Sequence, residues 1–223
     1  KELFTPCAGC FLALHKTNDY LAQYPKLAEK VHRALAAVGL EYNGQVQVRH
    51  LVDILVNDYG LERLQSQVVR KLEGLRVVPY YGCQFIRPYP VFDDVYSPTS
   101  MDRLLECLGA EVVPYPLKTR CCGGPLAGMV GEVGYRLNYL LLKEAKRRNA
   151  DLVVTSCPFC QFNLECYQDE ISERYHEDVH IPTLFIAQVV GVALGIPREQ
   201  LGFRRLLVSP EPALEKIKEV AHA

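Results

Sequence analysis

Apolar positions along the chain alternate between short continuous runs and longer stretches with helical spacing. Leu75 to Tyr81 (Leu-Arg-Val-Val-Pro-Tyr-Tyr) predicts a strand, closed by Gly82-Cys83 and a Pro-punctuated loop reaching Ser97-Pro98-Thr99-Ser100. Thr99 or Ser100 is placed to cap a helix from about Met101 to Leu108, with Gly109 as its stop. Glu111 to Tyr115 predicts a second strand, ending at Pro114 and Pro116. The next loop carries Cys121-Cys122-Gly123-Gly124. Val130, Val133, Leu137, Leu140, Leu141 and Ala145 then mark the apolar face of a long helix running to Asn149. Asp151 to Ser156 predicts a third strand, which ends directly in Cys157-Pro158-Phe159-Cys160.

Strands alternating with helices imply an α/β fold with a parallel sheet, and right-handed crossovers direct all three strands the same way. In such sheets ligands bind beyond the carboxyl ends of the strands. Cys83, the pair Cys121-Cys122, and Cys157 with Cys160 each follow a different strand. The gaps are 37 residues from Cys83 to Cys121 and 34 from Cys122 to Cys157, each about one strand-helix-strand crossover. Five thiols distant in sequence are therefore expected to meet at one sheet edge.

Composition sharpens the role of these thiols. Nine cysteines in 223 residues is about 4%, below the roughly 8–10% of disulfide-built secreted scaffolds. With 49% hydrophobic and 23% charged residues, the chain can form a core without disulfide staples. A net charge of -1 removes the electrostatic footprint of a nucleic-acid binder. The longest nearly apolar stretch, Leu184 to Ile196, has 13 residues and is interrupted by Gln188 and two glycines, too short to span a membrane. The start, Lys1-Glu2-Leu3-Phe4, has neither an initiator Met nor a signal-peptide core, so a cytoplasmic protein whose chain continues upstream is expected. None of the six histidines has metal-ligand spacing. Arg87, Lys118, Arg120 and Arg136 flank the expected site and are candidates to receive an anionic substrate or to be solvated surface charges.

Three chemistries compete for the thiols. Zinc requires four tetrahedral ligands, whereas adjacent Cys121 and Cys122 are awkward on one small ion and a fifth thiolate is left over. A thioredoxin-like motif would use Cys157-Pro158-Phe159-Cys160 with Ile181-Pro182-Thr183 as its second loop. Only 21 residues separate Cys160 from Pro182, too few for the intervening helix and strand, and three cysteines stay unexplained. An iron–sulfur cluster spreads its irons over several ångströms, suits soft thiolates, and with five sulfurs points to a distorted or opened cluster. Gly82, Gly123 and Gly124 would let the backbone approach such a cofactor, or simply form tight turns. Cys107 and Cys166, on predicted helices, read as buried inert thiols.

A partial repeat runs through the chain. Phe4-Thr5-Pro6-Cys7-Ala8-Gly9-Cys10-Phe11 matches Val154-Thr155-Ser156-Cys157-Pro158-Phe159-Cys160-Gln161 at an offset of 150 residues, and an apolar segment follows each (Val48 to Leu55 and Ile181 to Gln188). Residues 1–72 then read as the tail of a first repeat and 73–223 as a complete second one. The first repeat's single Cys and adjacent pair are expected upstream of Lys1.

The spacing Cys83-x37-Cys121-Cys122-x34-Cys157-x2-Cys160, with Tyr81-Gly82-Cys83, Arg87-Pro88, Pro98-Thr99-Ser100-Met101-Asp102 and the segment Ile181 to Leu201, resembles the cysteine-rich CCG domain of the heterodisulfide reductase B subunits and their relatives. The resemblance implies two pseudo-repeated Rossmann-like halves with iron–sulfur sites at strand carboxyl ends, the first half incomplete here. By position, it implies that Cys83, Cys121, Cys122, Cys157 and Cys160 ligate one noncubane [4Fe-4S] cluster and that Cys7 and Cys10 are ligands of another. Gln84 stands where methanogen-type sequences often carry His. The implied activity is reduction of a small disulfide, or oxidation of thiols, by one-electron steps. Implied partners are an iron–sulfur electron-donor subunit, resembling the C subunits of those reductases, with a flavoprotein subunit as a further candidate and membrane association through a partner. A non-catalytic electron-transfer or anchoring subunit of a succinate or fumarate reductase carries the same pattern. The CCG proteins of lactate or glycolate oxidation match it less well after Ile181, and a structural zinc protein is the remaining alternative.

Overall fold

The computed structural model describes residues 1–44 and 46–217. Strand β1 (Glu2–Thr5) leads into helices α1 (Ala8–Gln23) and α2 (Pro25–Ala36), and β2 (Gln47–His50) runs into α3 (Leu51–Asp53), a π-helical segment Ile54–Gly60 and α4 (Leu61–Ser66). The second part comprises β3 (Arg76–Tyr80), α5 (Ser100–Cys107), β4 (Glu111–Val112), α6 (Leu126–Met129), α7 (Gly131–Arg147), β5 (Leu152–Thr155), α8 (Pro158–Cys166), α9 (Gln168–Tyr175), β6 (Thr183–Phe185), α10 (Ile186–Ala193) and α11 (Glu211–Leu214). All pairings are parallel. One sheet has the order β4-β3-β5-β6, and a second consists of β1 and β2.

The central strands are buried on both faces, which is why they read as unbroken apolar runs rather than alternating ones. Val77, Val78, Leu152, Val153 and Val154 lie in the core with Leu104, Leu105, Leu142 and Leu184 around them. The unit β1-α1-α2-β2 repeats the order of β5-α8-α9-β6, each with its two strands paired in parallel. In the larger sheet β5 also pairs with β3, whereas among the described residues β1 pairs only with β2.

Several local expectations change. Strand β4 stops at Val112 rather than Tyr115, because Pro114 and Pro116 have no N–H for the ladder. The long helix is divided at Val130, and α7 buries Gly134, Asn138, Tyr139, Leu141, Leu142 and Ala145 while Val130, Val133 and Leu140 face outward. The buried stripe is rotated from the one that apolarity alone selects because α6 crosses α7 at Gly134. A Cβ there would lie 2.3 Å from the Ala127 Cα, so only glycine permits the crossing.

The start of α5 is capped, but not by Thr99 or Ser100. Asp93 accepts the N–H groups of Thr99 (3.0 Å) and Ser100 (2.8 Å), and the Tyr81 hydroxyl accepts those of Met101 (2.8 Å) and Asp102 (3.1 Å) while donating to the Asp102 carboxylate. Tyr81 is wholly buried, so it does internally what a cap residue does at the surface. Tyr81→Phe is expected to lower stability by about 1 kcal/mol, the usual worth of a cap. Urea denaturation checks this, and an unchanged midpoint would contradict the assignment. Among the described residues, no helix is long and apolar enough to cross a membrane.

Candidate functional site

Cys7 and Cys157 occupy equivalent places. Each follows a strand-ending threonine, Thr5 or Thr155, whose Oγ1 accepts that cysteine's N–H (3.3 and 3.4 Å). Each has extended backbone and sits at the N-cap of a helix, α1 or α8, so the free N–H groups of the first turn point back toward the sulfur. Cys10 N–H donates to Cys7 Sγ at 3.4 Å. The N–H groups of Cys160, Gly9 and Phe159 approach the Cys157 sulfur. Gly9 belongs to the other Cys-x-x-Cys turn, so the two turns face each other.

The remaining thiols arrive from β3 and from the loop after β4. The N–H groups of Tyr81 and Gly82 both donate to the Lys118 carbonyl (2.9 and 3.0 Å), and the buried Tyr80 hydroxyl donates to the Arg120 carbonyl (2.7 Å). These bonds set Cys83 opposite Cys121. Gly82 has φ +69°, and a Cβ there would lie 3.2 Å from Cys160 Sγ, so a side chain would intrude on the thiols. Gly123, at φ +95°, packs its α-carbon face on the Gly134 backbone and donates its N–H to Cys121 Sγ at 3.3 Å. Cys122 Sγ lies 3.5 Å from Cys160 Sγ.

All seven of these cysteines line one cavity of about 510 Å3, together with Tyr81, Gln84, Gly123, Gly124, Leu126 and Phe159 among others. The five thiols expected at one sheet edge are brought together, and Cys7 and Cys10, expected to serve a separate site, open onto the same space. Gly82 lies beside it against Cys160. Cys107 and Cys166 do not line it; both are partly buried, and the Cys107 thiol donates to the Leu61 carbonyl at 3.1 Å.

The thiols perturb one another. The Cys122 and Cys83 thiols, with the Gly123 N–H and Arg87, hold Cys121 far below the ordinary thiol value. Cys160 likewise draws Cys157 down to about 5 in spite of burial. Their donors move the opposite way: Cys83 is raised by Cys121 and then by burial, Cys122 by Cys121, and Cys160 by Cys122 and Cys157. Burial lifts Cys7 to about 11. The alternation is that of thiols sharing protons, two of them, Cys121 and Cys157, favouring the thiolate that soft metals bind.

None of the four cations expected nearby lines the cavity, though the charge of Arg87 reaches Cys121. Lys118 binds Asp102 (3.1 Å) and the Pro98 carbonyl (2.5 Å), Arg87 donates to the Thr119 carbonyl, and Arg136 lies over the Tyr139 and Tyr175 rings. Two further residues escape sequence reading. Asn163 donates into the Cys121-Cys122-Gly123-Gly124 loop. His50, wholly buried among Phe11, Phe85 and Phe92, sits near the carbonyls of Pro6 and Ser156, the residues just before Cys7 and Cys157. The one available signal was position, since Asn163 stands one helical turn beyond Cys160.

Soft donors, backbone N–H groups aimed at sulfur and a glycine where a Cβ would crowd Cys160 suit a polynuclear iron–sulfur group. Among the described residues, no three His, Cys, Asp or Glu side chains are gathered closely enough as they stand to hold a metal ion.

Comparison with known proteins agrees with this chemistry. Residues 77–165 match the CCG family, described as a cysteine-rich domain. The chain is 30% identical over 208 residues to the 8-methylmenaquinol:fumarate reductase membrane anchor subunit of Wolinella succinogenes, covering 92% of this chain and 72% of that one. Its fold is similar to the crystal structure of a hypothetical protein from Helicobacter pylori, with a TM-score of 0.66 at 15% identity over 86% of this chain but only 35% of that one. It is also 32% identical over 225 residues to the B subunit of the ferredoxin/F(420)H(2)-dependent CoB-CoM heterodisulfide reductase of Methanosarcina acetivorans, covering 99% of this chain and 75% of that protein. On these grounds the chain belongs to the CCG cysteine-rich family that includes the heterodisulfide reductase B subunits.

Proposed function

We propose that this chain is the catalytic iron–sulfur subunit of a heterodisulfide reductase-like complex, an oxidoreductase acting on sulfur groups. The observation that carries the reading is the set of seven thiols on one cavity. Cys83, Cys121, Cys122, Cys157 and Cys160 would hold one noncubane [4Fe-4S] cluster. Cys7 and Cys10 would serve a second, its other ligands lying upstream or on another chain. When bound, the clusters supply single-electron transfer.

The chain's own residues hold and shield that chemistry. Tyr80 and the Lys118 carbonyl fix the two loops that present Cys83 and Cys121. Leu126, Phe159 and Pro125 give the cavity an apolar wall, and among the described residues no Lys, Arg, Asp, Glu or His lines it. Such walls lower the polarity around the buried thiols of Cys122, Cys157 and Cys160, while Cys10 and Cys121 stay open to solvent. Cleaving one disulfide to two thiols consumes two electrons and two protons, the electrons arriving singly from an iron–sulfur partner subunit and, behind it, a flavoprotein. We place the complex in the cytoplasm, with membrane association through a partner. We also assign residues 1–72 to the tail of one repeat and 73–223 to a second, on the matching order of β1-α1-α2-β2 and β5-α8-α9-β6; residues 218–223 lie outside the described residues.

The test is iron and acid-labile sulfide analysis with EPR on anaerobically purified protein. Comparable amounts of iron and sulfide with a paramagnetic reduced or oxidised state are expected, and zinc without sulfide would overturn the reading. The similarity to a fumarate reductase anchor supports a second reading, a subunit that relays electrons without catalysis. Loaded protein that exchanges electrons with a quinone but never turns over small disulfides would decide for it.

A further inference from the structure

Asn163 lies on α8, one turn after Cys160, and is 2% exposed. Its Nδ2 is surrounded by acceptors: the Gly124 carbonyl at 2.8 Å, the Cys122 carbonyl at 3.4 Å and Cys122 Sγ at 3.5 Å. With only acceptors around it, that atom is the amide nitrogen and not the oxygen. One hydrogen satisfies Gly124, and the second is left for Cys122, whose sulfur also faces Cys160. The same amide therefore clamps the loop carrying two of the thiols and donates to one of them. At the 150-residue offset the other Cys-x-x-Cys motif carries Ala13, which has no donor, so the two motifs differ at this point.

We infer that Asn163 is a positioning residue for Cys122 that raises the reduction potential of the iron–sulfur group held there. The inference rests on the iron–sulfur reading above. Adding one electron increases negative charge on the thiolate sulfurs, and an N–H directed at a sulfur stabilises that more anionic state. Without the donor, reduction becomes less favourable while the cysteine ligands remain. A role in folding alone would change iron occupancy or stability but leave the potential of loaded protein where it was.

The experiment is an EPR-monitored redox titration with dithionite of the anaerobically purified full chain, comparing wild type, Asn163→Leu, which keeps bulk without a donor, and Asn163→Ser, which keeps a shorter donor. The signal of loaded protein alone is followed. The Leu variant is expected to be reduced with about a tenfold smaller equilibrium constant, about 59 mV more negative for one electron, and the Ser variant to fall between. If the Leu variant loses its iron, a negative shift in the Ser variant still supports the inference. An unchanged or more positive potential in a loaded variant overturns it, as does loss of iron from both variants, which would make the residue purely structural. Wild-type protein that holds no iron overturns the iron–sulfur reading and this inference together.

Discussion

Cys121→Ala is expected to strip the protein of the iron held by the five-cysteine set. Partners that merely orient a metal ligand are worth about 10–100-fold in metal affinity, so removing a ligand should exceed that range. Cys121 is exposed, and its side chain fills no part of the core, so the loss would not come from unfolding. Its thiol lies between those of Cys83 and Cys122 and is the one most strongly driven toward thiolate. Iron and sulfide per chain, with the EPR signal, provide the measurement, and Cys107→Ser and Cys166→Ser are controls outside the cavity that should keep full occupancy. Retention of iron and sulfide in Cys121→Ala would sink the ligand assignment. Cys7→Ala is the informative comparison, because Cys7 opens onto the same cavity. If it depletes iron as thoroughly as Cys121→Ala, the division into two ligand sets gives way to one site served by all seven thiols.

Lowering the pH from 7 to 5 is expected to remove about 2 kcal/mol of stability through His50 alone. The ring is wholly buried, with Phe85 and Phe11 edge-on at 4.7 and 5.6 Å and Phe92 stacked at 6.5 Å. Its Nδ1 accepts the Val52 N–H at 3.2 Å, which selects the neutral tautomer with hydrogen on Nε2. Protonation would set a second N–H against that of Val52. Burial accordingly lowers the pKa from 6.5 to about 4, with the carbonyls of Ser156 and Pro6 and the charge of Asp53 offsetting part of the effect; none of them meets hydrogen-bond geometry at Nε2. The sign follows directly. Between 6.5 and 4 the unfolded chain takes up a proton that the folded chain refuses, so this contribution to stability is intact above 6.5 and falls as pH falls. The replacement His50→Phe keeps an aromatic ring, as Phe185 does at the corresponding start of α10. Urea denaturation at pH 7 and pH 5 should show the extra loss in wild type and not in the variant, and equal losses would dispose of the idea. Since His50 lies near the residues preceding both Cys-x-x-Cys turns, protonation should also loosen the cavity.

How much of this was legible beforehand depended on the range of the interactions. Cys83, Cys157 and Cys160 could be placed because each follows the end of an apolar run that a parallel sheet buries on both faces, and Cys121-Cys122 because a Pro-rich loop follows the strand before it. Local stereochemistry and crossover handedness carry those residues to one edge. The 150-residue repeat was likewise written in the chain, down to the threonines that hold Cys7 and Cys157. By contrast, the buried face of α7 depended on Gly134 meeting Ala127, and the cap of α5 on Asp93 and Tyr81 rather than its own neighbours. Asn163 and His50 look ordinary in sequence because their partners, the Gly124 carbonyl and the aromatic cage, lie tens of residues away. Periodicity and spacing thus settle the elements and the edge at which the thiols emerge. Whether Cys7 and Cys10 share the cavity, and which amide faces a sulfur, follow only from packing between segments distant in sequence.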